Sequence, residues 1–186
     1  MNADFDVTGL RIETPRLILR PWQESDLEDF FEYASVPGVG EMAGWPHHES
    51  VEASREILNR FIEHKKTFAL EYKENGKAIG SLGLELRGDD PHIPENLKGR
   101  EIGYVLSKDY WGRGLMCEAV CAVISYCFGT LHFDFLTCGH FAQNYQSRRV
   151  IEKCGFKYFT TVPYTTAMGT KETVLLYMIK RGNNNV

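Results

Sequence analysis

The stretch that most limits how this chain can fold is residues 109–120, Asp-Tyr-Trp-Gly-Arg-Gly-Leu-Met-Cys-Glu-Ala-Val. A β-type run, Arg100–Ser107, leads into it. From Gly114 onward Met116, Ala119, Val120, Val123, Ile124 and Cys127 recur at helical spacing toward Gly129. A strand therefore passes into a helix with a broad buried face through bare backbone at Gly112 and Gly114. Glycine lets a ligand approach the main chain, and the first amides of a helix have no intrahelical partner. Such a junction suits an anion. The helix N-terminus carries about half a positive charge, consecutive turn amides can cradle phosphate oxygens, and Arg113 can add charge. The structural alternative is a tight turn that lets strand and helix pack closely.

With 186 residues, 43% hydrophobic and 25% charged, the chain can bury one sizeable core, so a single domain over residues 1–186 is expected. A formal net charge of −4 gives no global attraction to nucleic acid or to an anionic membrane. No apolar run approaches the roughly 20 residues that span a bilayer, and Met1–Asp6 lacks the basic and apolar regions of a secretion signal, so the cytoplasm is the expected location. The five cysteines form an odd set without a Cys-x-x-Cys and mostly sit in apolar runs, which reads as reduced core thiols. Cys117 with Cys121, or His47 with His48, could each be half of a metal-ligand set. No further ligands stand at suitable spacing, and no metal is expected.

Along the chain, Leu10–Trp22 alternates like a first strand. Ser25 and Glu28 form a capping-box pattern ahead of Leu27, Phe30, Phe31 and Ala34, and Pro37-Gly38 stops that helix. A second helix is predicted over Ser50–Lys66 from the stripe Ile57, Leu58, Phe61 and Ile62. Thr67–Lys73 and Ala78–Leu86 flank Asn75-Gly76 and predict a tight hairpin. A loop follows over Arg87–Gly99, then the fourth strand Arg100–Ser107, the helix from Gly114, and a fifth strand at Phe133–Phe141. Asn144–Cys154 reads as a helix closed by Gly155, and Phe156–Tyr164 and Val174–Ile179 read as strands. The polar tail 182–186 is expected to fray. The order is β-α-α-β-β-β-α-β-α-β-β.

Several phosphate-binding and hydrolytic patterns are ruled out by residue type. No Gly-Lys-Ser/Thr follows the glycines, as a P-loop needs, and Cys117 stands where a dinucleotide fingerprint would need its third glycine. No Gly-x-Ser-x-Gly elbow or His-Glu-x-x-His occurs. A second motif, Asn144-Tyr145-Gln146-Ser147-Arg148-Arg149-Val150-Ile151-Glu152-Lys153-Cys154-Gly155-Phe156, follows the fifth strand. With both motifs in this order, and with the matching element order, the chain resembles the GNAT superfamily of acyl-coenzyme A-dependent N-acetyltransferases over nearly its whole length. Glu13-Thr14-Pro15-Arg16-Leu17-Ile18-Leu19-Arg20-Pro21, and Glu101-Ile102-Gly103-Tyr104-Val105-Leu106 before Tyr110-Trp111-Gly112, are similar to the branch typified by RimJ and RimL, which acetylate N-terminal α-amines of ribosomal proteins.

The resemblance implies a single α/β (α+β, three-layer) domain whose mixed, mostly antiparallel sheet is splayed between its fourth and fifth strands, with helices on both faces. It implies acetyl-coenzyme A as cofactor, held by Val105, Leu106, Trp111, Gly112, Arg113, Gly114, Leu115, Met116, Asn144 and Ser147. The family loop usually runs Gln or Arg, two residues, Gly, one residue, Gly or Ala. Aligning its central glycine with Gly114 puts Trp111 first and the bulkier Met116 last, where the side chain could crowd the phosphates. Main-chain donors survive that change. A main-chain N–H near Val105 or Leu106 is expected to polarise the thioester carbonyl.

Transfer to an amine needs a proton acceptor and a donor to the departing thiolate. An α-amine titrates at roughly 7.7–8.0, so its base can be modest. Glu101 is the first candidate, sharing a strand face with Gly103 and Val105; the structural alternative is a solvated or salt-bridged glutamate. Glu85, Glu41 and His47 are lesser candidates. By resemblance Ser147 meets the leaving sulfur, or it caps its helix; Asn144 caps the same helix or holds the pantetheine arm. Trp45, His47 and Glu85 are candidates for acceptor contact, and Phe30, Phe31, Met42 and Tyr164 line the acceptor pocket or belong to the core. The expected partners are an amine-bearing small molecule or a peptide or protein N-terminus, with a second copy of the chain also a candidate; nucleic acid and membrane are not expected. The rival readings are a small-molecule amine or amino-sugar acetyltransferase, and a non-catalytic acyl-coenzyme A sensor.

Overall fold

The hairpin predicted from Asn75-Gly76 forms as expected: Gly76 takes φ +72° and donates to the Tyr72 carbonyl at 2.8 Å, closing the turn between β3 (Thr67–Tyr72) and β4 (Ala78–Glu85). A computed structural model of the chain describes residues 1–86, 88 and 93–182. Part of the predicted loop after β4 (residues 87 and 89–92) and the tail 183–186 lie outside the described residues. The other elements are β1 (Ile12–Glu13), β2 (Leu17–Pro21), α1 (Leu27–Ala34), α2 (Val51–His64), β5 (Gly99–Leu106), α3 (Leu115–Gly129), β6 (Phe135–Phe141), α4 (Tyr145–Lys153), β7 (Lys157–Thr165) and β8 (Lys171–Lys180). None of the described helices is long and apolar enough to cross a membrane.

The strands form one sheet in the order β1-β2-β3-β4-β5-β6-β8-β7, antiparallel everywhere except between β5 and β6. That parallel pair joins Gly99–Ile102 to Phe135–Cys138 and no further. Beyond Ile102 and Cys138 the strands part, which is the splay expected between the fourth and fifth predicted strands. α3 and α4 cover one face through a core that includes Leu17, Leu70, Leu82, Ile102, Val123 and Ile151; α1 and α2 cover the other around Trp22, Phe30, Leu58 and Ala69. The result is an α/β domain with helices on both faces. α3 buries residues 115, 116, 119, 120, 123, 124, 127 and 128, a stripe wide enough to pack on the sheet while its outer side meets α4.

Three local readings are corrected. The predicted strand Leu10–Trp22 is broken in two at Thr14-Pro15-Arg16. Pro15 has no N–H to give a ladder, and the Thr14 hydroxyl accepts from the Leu17 amide at 2.9 Å, forming a local turn instead. The capping box read into Ser25 and Glu28 is formed instead by Gln23 and Asp26 on the short turn before α1; the Asp26 carboxylate accepts from the Gln23 amide at 2.9 Å and from both terminal nitrogens of Arg20 at 2.8 Å. Glu71 takes the Arg20 Nε at 2.5 Å. The partly buried guanidinium is thereby held between two carboxylates, and these bonds, Asp26's first, raise its pKa against the opposing effect of burial. Ser50, the first residue of the predicted second helix, caps α2 instead, accepting from the Ala53 amide at 3.1 Å.

Candidate active site

Where β5 and β6 separate, a cleft of about 1050 Å³ opens between the end of β5, the loop into α3, the end of β6 and the first turn of α4. The loop is shaped by its glycines. Gly112 and Gly114 have φ +75° and +76°, the left-handed region that costs any other residue about 1 kcal/mol or more. A Cβ on Gly112 would meet no atom within 4 Å, so the constraint there is conformational rather than steric. The first α3 bond runs from the Glu118 amide to the Gly114 carbonyl at 3.1 Å, which leaves the amides of Leu115, Met116 and Cys117 without helical partners at the mouth of the cleft. Leu115 and Met116 are buried in the core face of α3 and also line the cleft. Trp111 turns inward, its indole N–H donating to the Leu106 carbonyl at 2.8 Å.

Arg113 is placed differently from the expectation. Its guanidinium lies 5.1 Å from the Tyr110 ring centre, and it is not among the residues lining the cleft. Its carbonyl instead accepts from Arg16 Nη1 at 2.9 Å. Arg16 also bonds Glu118 through Nε at 2.7 Å, and Glu118 accepts from the Thr14 hydroxyl at 2.6 Å and the Arg16 amide at 2.8 Å. Burial alone would raise the Glu118 pKa; these hydrogen bonds outweigh it and hold the pKa below the ordinary value. The break in the first strand is thus a clamp on the first turn of α3 and on the glycine loop. Sequence reasoning missed it, although the proline beside Arg16 was a visible signal of interrupted pairing.

On the α3–α4 face, Asn144 caps α4: its side-chain oxygen accepts from the Ser147 amide at 3.1 Å while its Nδ2 donates to the Met42 carbonyl at 3.3 Å. Ser147 is therefore the capped residue rather than the cap, and its hydroxyl is free for other work. It lies 2.8 Å from the Tyr104 hydroxyl, reaching across from β5. Burial, with a smaller effect of Cys138, lifts the Tyr104 pKa well above its usual value, so this phenol is a neutral donor. Tyr104 was quoted in a motif but not singled out; alternation along β5 already placed it opposite Glu101. The Ser107 amide donates to the Ile79 carbonyl at 2.8 Å, so antiparallel alternation turns the Val105 N–H toward β4 and the Leu106 N–H toward the gap.

The opposite face of the gap holds the two strand glutamates. Glu101 pairs with Glu85 in the β4–β5 register and with Thr137 in the β5–β6 register, and all three residues line the cleft. Burial first, and the neighbouring Glu85 charge second, raise the Glu101 pKa. Met42 and Tyr164 also line the cleft. Trp45 and His47 do not. Trp45 covers Gly40, where a Cβ would collide with its ring, and lies 5.1 Å from the His48 ring beside the α1–α2 core. Its loop position has a packing explanation. Phe30 is core, and Phe31 is not among the cleft-lining residues. His47 Nδ1 sits 2.8 Å from Glu41, which also accepts the Gly38 amide at 2.6 Å. Burial would raise the Glu41 pKa, but the His47 bond and these amides pull it down to about 2, the profile of a loop fastener rather than a base.

A family model described as an acetyltransferase (GNAT) domain matches residues 16–157. The chain is 27% identical over 151 residues to an uncharacterised N-acetyltransferase, YoaA, of Bacillus subtilis, covering 78% of this chain and 82% of that protein. Among solved structures, an acetyltransferase of the GNAT family from Bacillus anthracis superposes with TM-score 0.80 at 21% identity, over 92% of this chain and 99% of that one. A ribosomal-protein-S5-alanine acetyltransferase from Vibrio fischeri does so with TM-score 0.70 at 19% identity, over 94% and 98%.

Proposed function

The chain belongs to the GNAT acetyltransferase family, and from that premise we propose that it moves an acetyl group directly from acetyl-coenzyme A to a primary amine in the gap between β5 and β6. The observation that carries this reading is the parting of those strands after Ile102 and Cys138, which brings the loop amides, the Leu106 N–H, the Ser147–Tyr104 pair and Glu101 to one cleft.

The residues fit the cofactor. The partnerless amides of Leu115, Met116 and Cys117, with the bare backbone of Gly112 and Gly114, suit its diphosphate, and the edge of β5 from Gly103 to Leu106 suits its amide-bearing arm. When bound, acetyl-coenzyme A supplies an acyl carbon activated as a thioester. Glu101 accepts a proton from the acceptor ammonium, freeing the nitrogen lone pair to form the new N–C bond. The Leu106 N–H donates to the carbonyl oxygen as it gains negative charge. As the C–S bond breaks, Ser147 would donate its proton to the sulfur and regain one from the second proton leaving the nitrogen, relayed by solvent, while Glu101 releases the first to solvent. Tyr104, held neutral, keeps the Ser147 hydroxyl in place through their hydrogen bond. Leu106 polarises from the edge of β5, while Glu101 and Ser147 work from the two sides of the sheet.

For the acceptor, the RimJ/RimL-like stretches Glu13–Pro21 and Glu101–Leu106, together with the fold shared with a ribosomal-protein acetyltransferase, support a peptide or protein N-terminal α-amine. A small-molecule amine is a second reading, favoured by the paired carboxylates Glu85 and Glu101 in the cleft. Thiol release from acetyl-coenzyme A, followed against a panel of amines and short peptides, tests both. Acetyl transfer to at least one primary amine is expected. Calorimetric binding of acetyl-coenzyme A with no turnover on any acceptor would replace the enzyme with a sensor.

A further inference from the structure

We infer that the acceptor is recognised as a dication, with its reacting amine at Glu101 and a second positive charge, a short alkyl chain away, at Glu85. This rests on the acetyl-transfer reading and deepens it by stating what the amine is attached to.

Glu85 and Glu101 stand opposite one another in the β4–β5 register, so both side chains rise from the same face of the sheet. Their carboxylates lean apart. Glu85 folds over Gly83, where a Cβ would collide with its Oε1, while Glu101 leans toward β6, its Oε1 3.8 Å from where a Cβ on Gly139 would sit. Gly83 and Gly139 lie two strands apart across the start of the splay, so at least roughly 10 Å separates them. A nitrogen bonded to each carboxylate sits at about 2.8 Å from its oxygen, inside that span. What is left suits a short carbon chain. Gly103 lies between them, and a Cβ there would be 4.0 Å from the nearest Glu85 carbon, so the floor is flat where the chain would lie. Met42, Val162 and Leu176 add apolar wall.

Thr137 points independently to a ligand. It is 1% exposed, lines the same cleft, is Glu101's partner in the β5–β6 register, and its hydroxyl oxygen is buried with no hydrogen-bond partner among the described residues. Such an oxygen is costly to leave unpaired, and an ammonium held at Glu101 offers it a spare N–H.

Charge balance then decides between a monoamine and a dication. A monoamine meets only the Glu101 carboxylate and leaves the exposed Glu85 carboxylate acting on Glu101 as a like charge. A dication keeps Glu85 paired before, during and after the proton transfer to Glu101. The same chemistry is available from a free alkyl diamine or from a peptide whose first residue is lysine.

The test uses the full chain with acetyl-coenzyme A and two matched pairs of acceptors: putrescine against n-butylamine, and a lysine-first against a norleucine-first peptide. In one pair kcat/KM is expected to favour the dication by about tenfold or more, and which pair does so identifies the source. Glu85→Gln, of the same size, should bring that ratio to about one. The affinities of putrescine and n-butylamine for the coenzyme A-loaded protein, measured by calorimetry, read the same preference without turnover. Equal kcat/KM and equal affinity within both pairs, or a preference that survives Glu85→Gln, overturns the inference. An affinity preference without acetylation of any amine would sink the transfer reading and leave dication recognition standing.

Discussion

Ser147 and Glu101 carry the two proton transfers, and each can be tested separately from binding. Ser147→Ala is expected to lower kcat about a hundredfold with little change in acetyl-coenzyme A affinity, measured by calorimetry. Tyr104→Phe should cost about tenfold, the worth of one hydrogen bond, since it removes only the phenol behind Ser147. Equal loss of kcat and affinity in Ser147→Ala would reduce the serine to a structural part. The wild-type kcat/KM should fall with acidification through a Glu101 pKa that lies above the ordinary carboxylate range, because only the ionised form accepts a proton. Glu85→Gln removes the repelling charge and should move that limb to lower pH. For stability the sign is opposite to that of activity: a raised carboxyl pKa favours folding below the ordinary range and loses that contribution as pH rises through the raised value. Glu101→Gln should therefore raise the thermal midpoint at neutral pH while abolishing the acidic limb. Asn144 and Ser147 were legible in the sequence because a helix start is a local pattern. The Tyr104–Ser147 contact, 43 residues apart, was not, and neither was the packing of Trp45 onto Gly40, since both depend on how separate elements meet.

At the scale of elements, the clamp between the Thr14–Arg16 turn and α3 predicts a division of labour. Glu118→Ala cuts the bonds from Thr14 and Arg16 while leaving the cleft's polar side chains in place, so KM for acetyl-coenzyme A should rise about tenfold with kcat changed far less. A fall in kcat with unchanged KM would remove the clamp from cofactor binding. The Arg20–Asp26 pair fastens the entry to α1 to β2, and Asp26→Ala should destabilise by about 2 kcal/mol in urea unfolding, as it removes two charge-assisted hydrogen bonds and leaves a partly buried guanidinium with Glu71 alone. The Asn75-Gly76 hairpin, α2 and the wide stripe of α3 were all legible from periodicity and turn chemistry. The first strand was not, because alternation in Leu17 and Leu19 extends smoothly past a proline whose missing N–H decides the break.

For the whole molecule, cofactor and acceptor would share a gap inside the sheet, so binding should be felt as global stability. At a hundred times its Kd, acetyl-coenzyme A should add about 2.7 kcal/mol, which for a chain of this size is a rise of roughly 5–10 °C in Tm. No shift at saturating concentration would place the cofactor elsewhere or nowhere. The class of fold and the place of the splay were legible because a strand, a glycine junction and a helix occur in a fixed order with the Asn144–Phe156 segment. Its depth was not, since the point at which parallel pairing stops is set by tertiary packing.

That pairing joins β1–β5 to β6–β8 through only four residue pairs, Gly99–Ile102 with Phe135–Cys138. It is a short hem in a wide cloth, and the amide protons just past it should trade with deuterium from the solvent sooner than those on β3 and β4, until a bound molecule shields them.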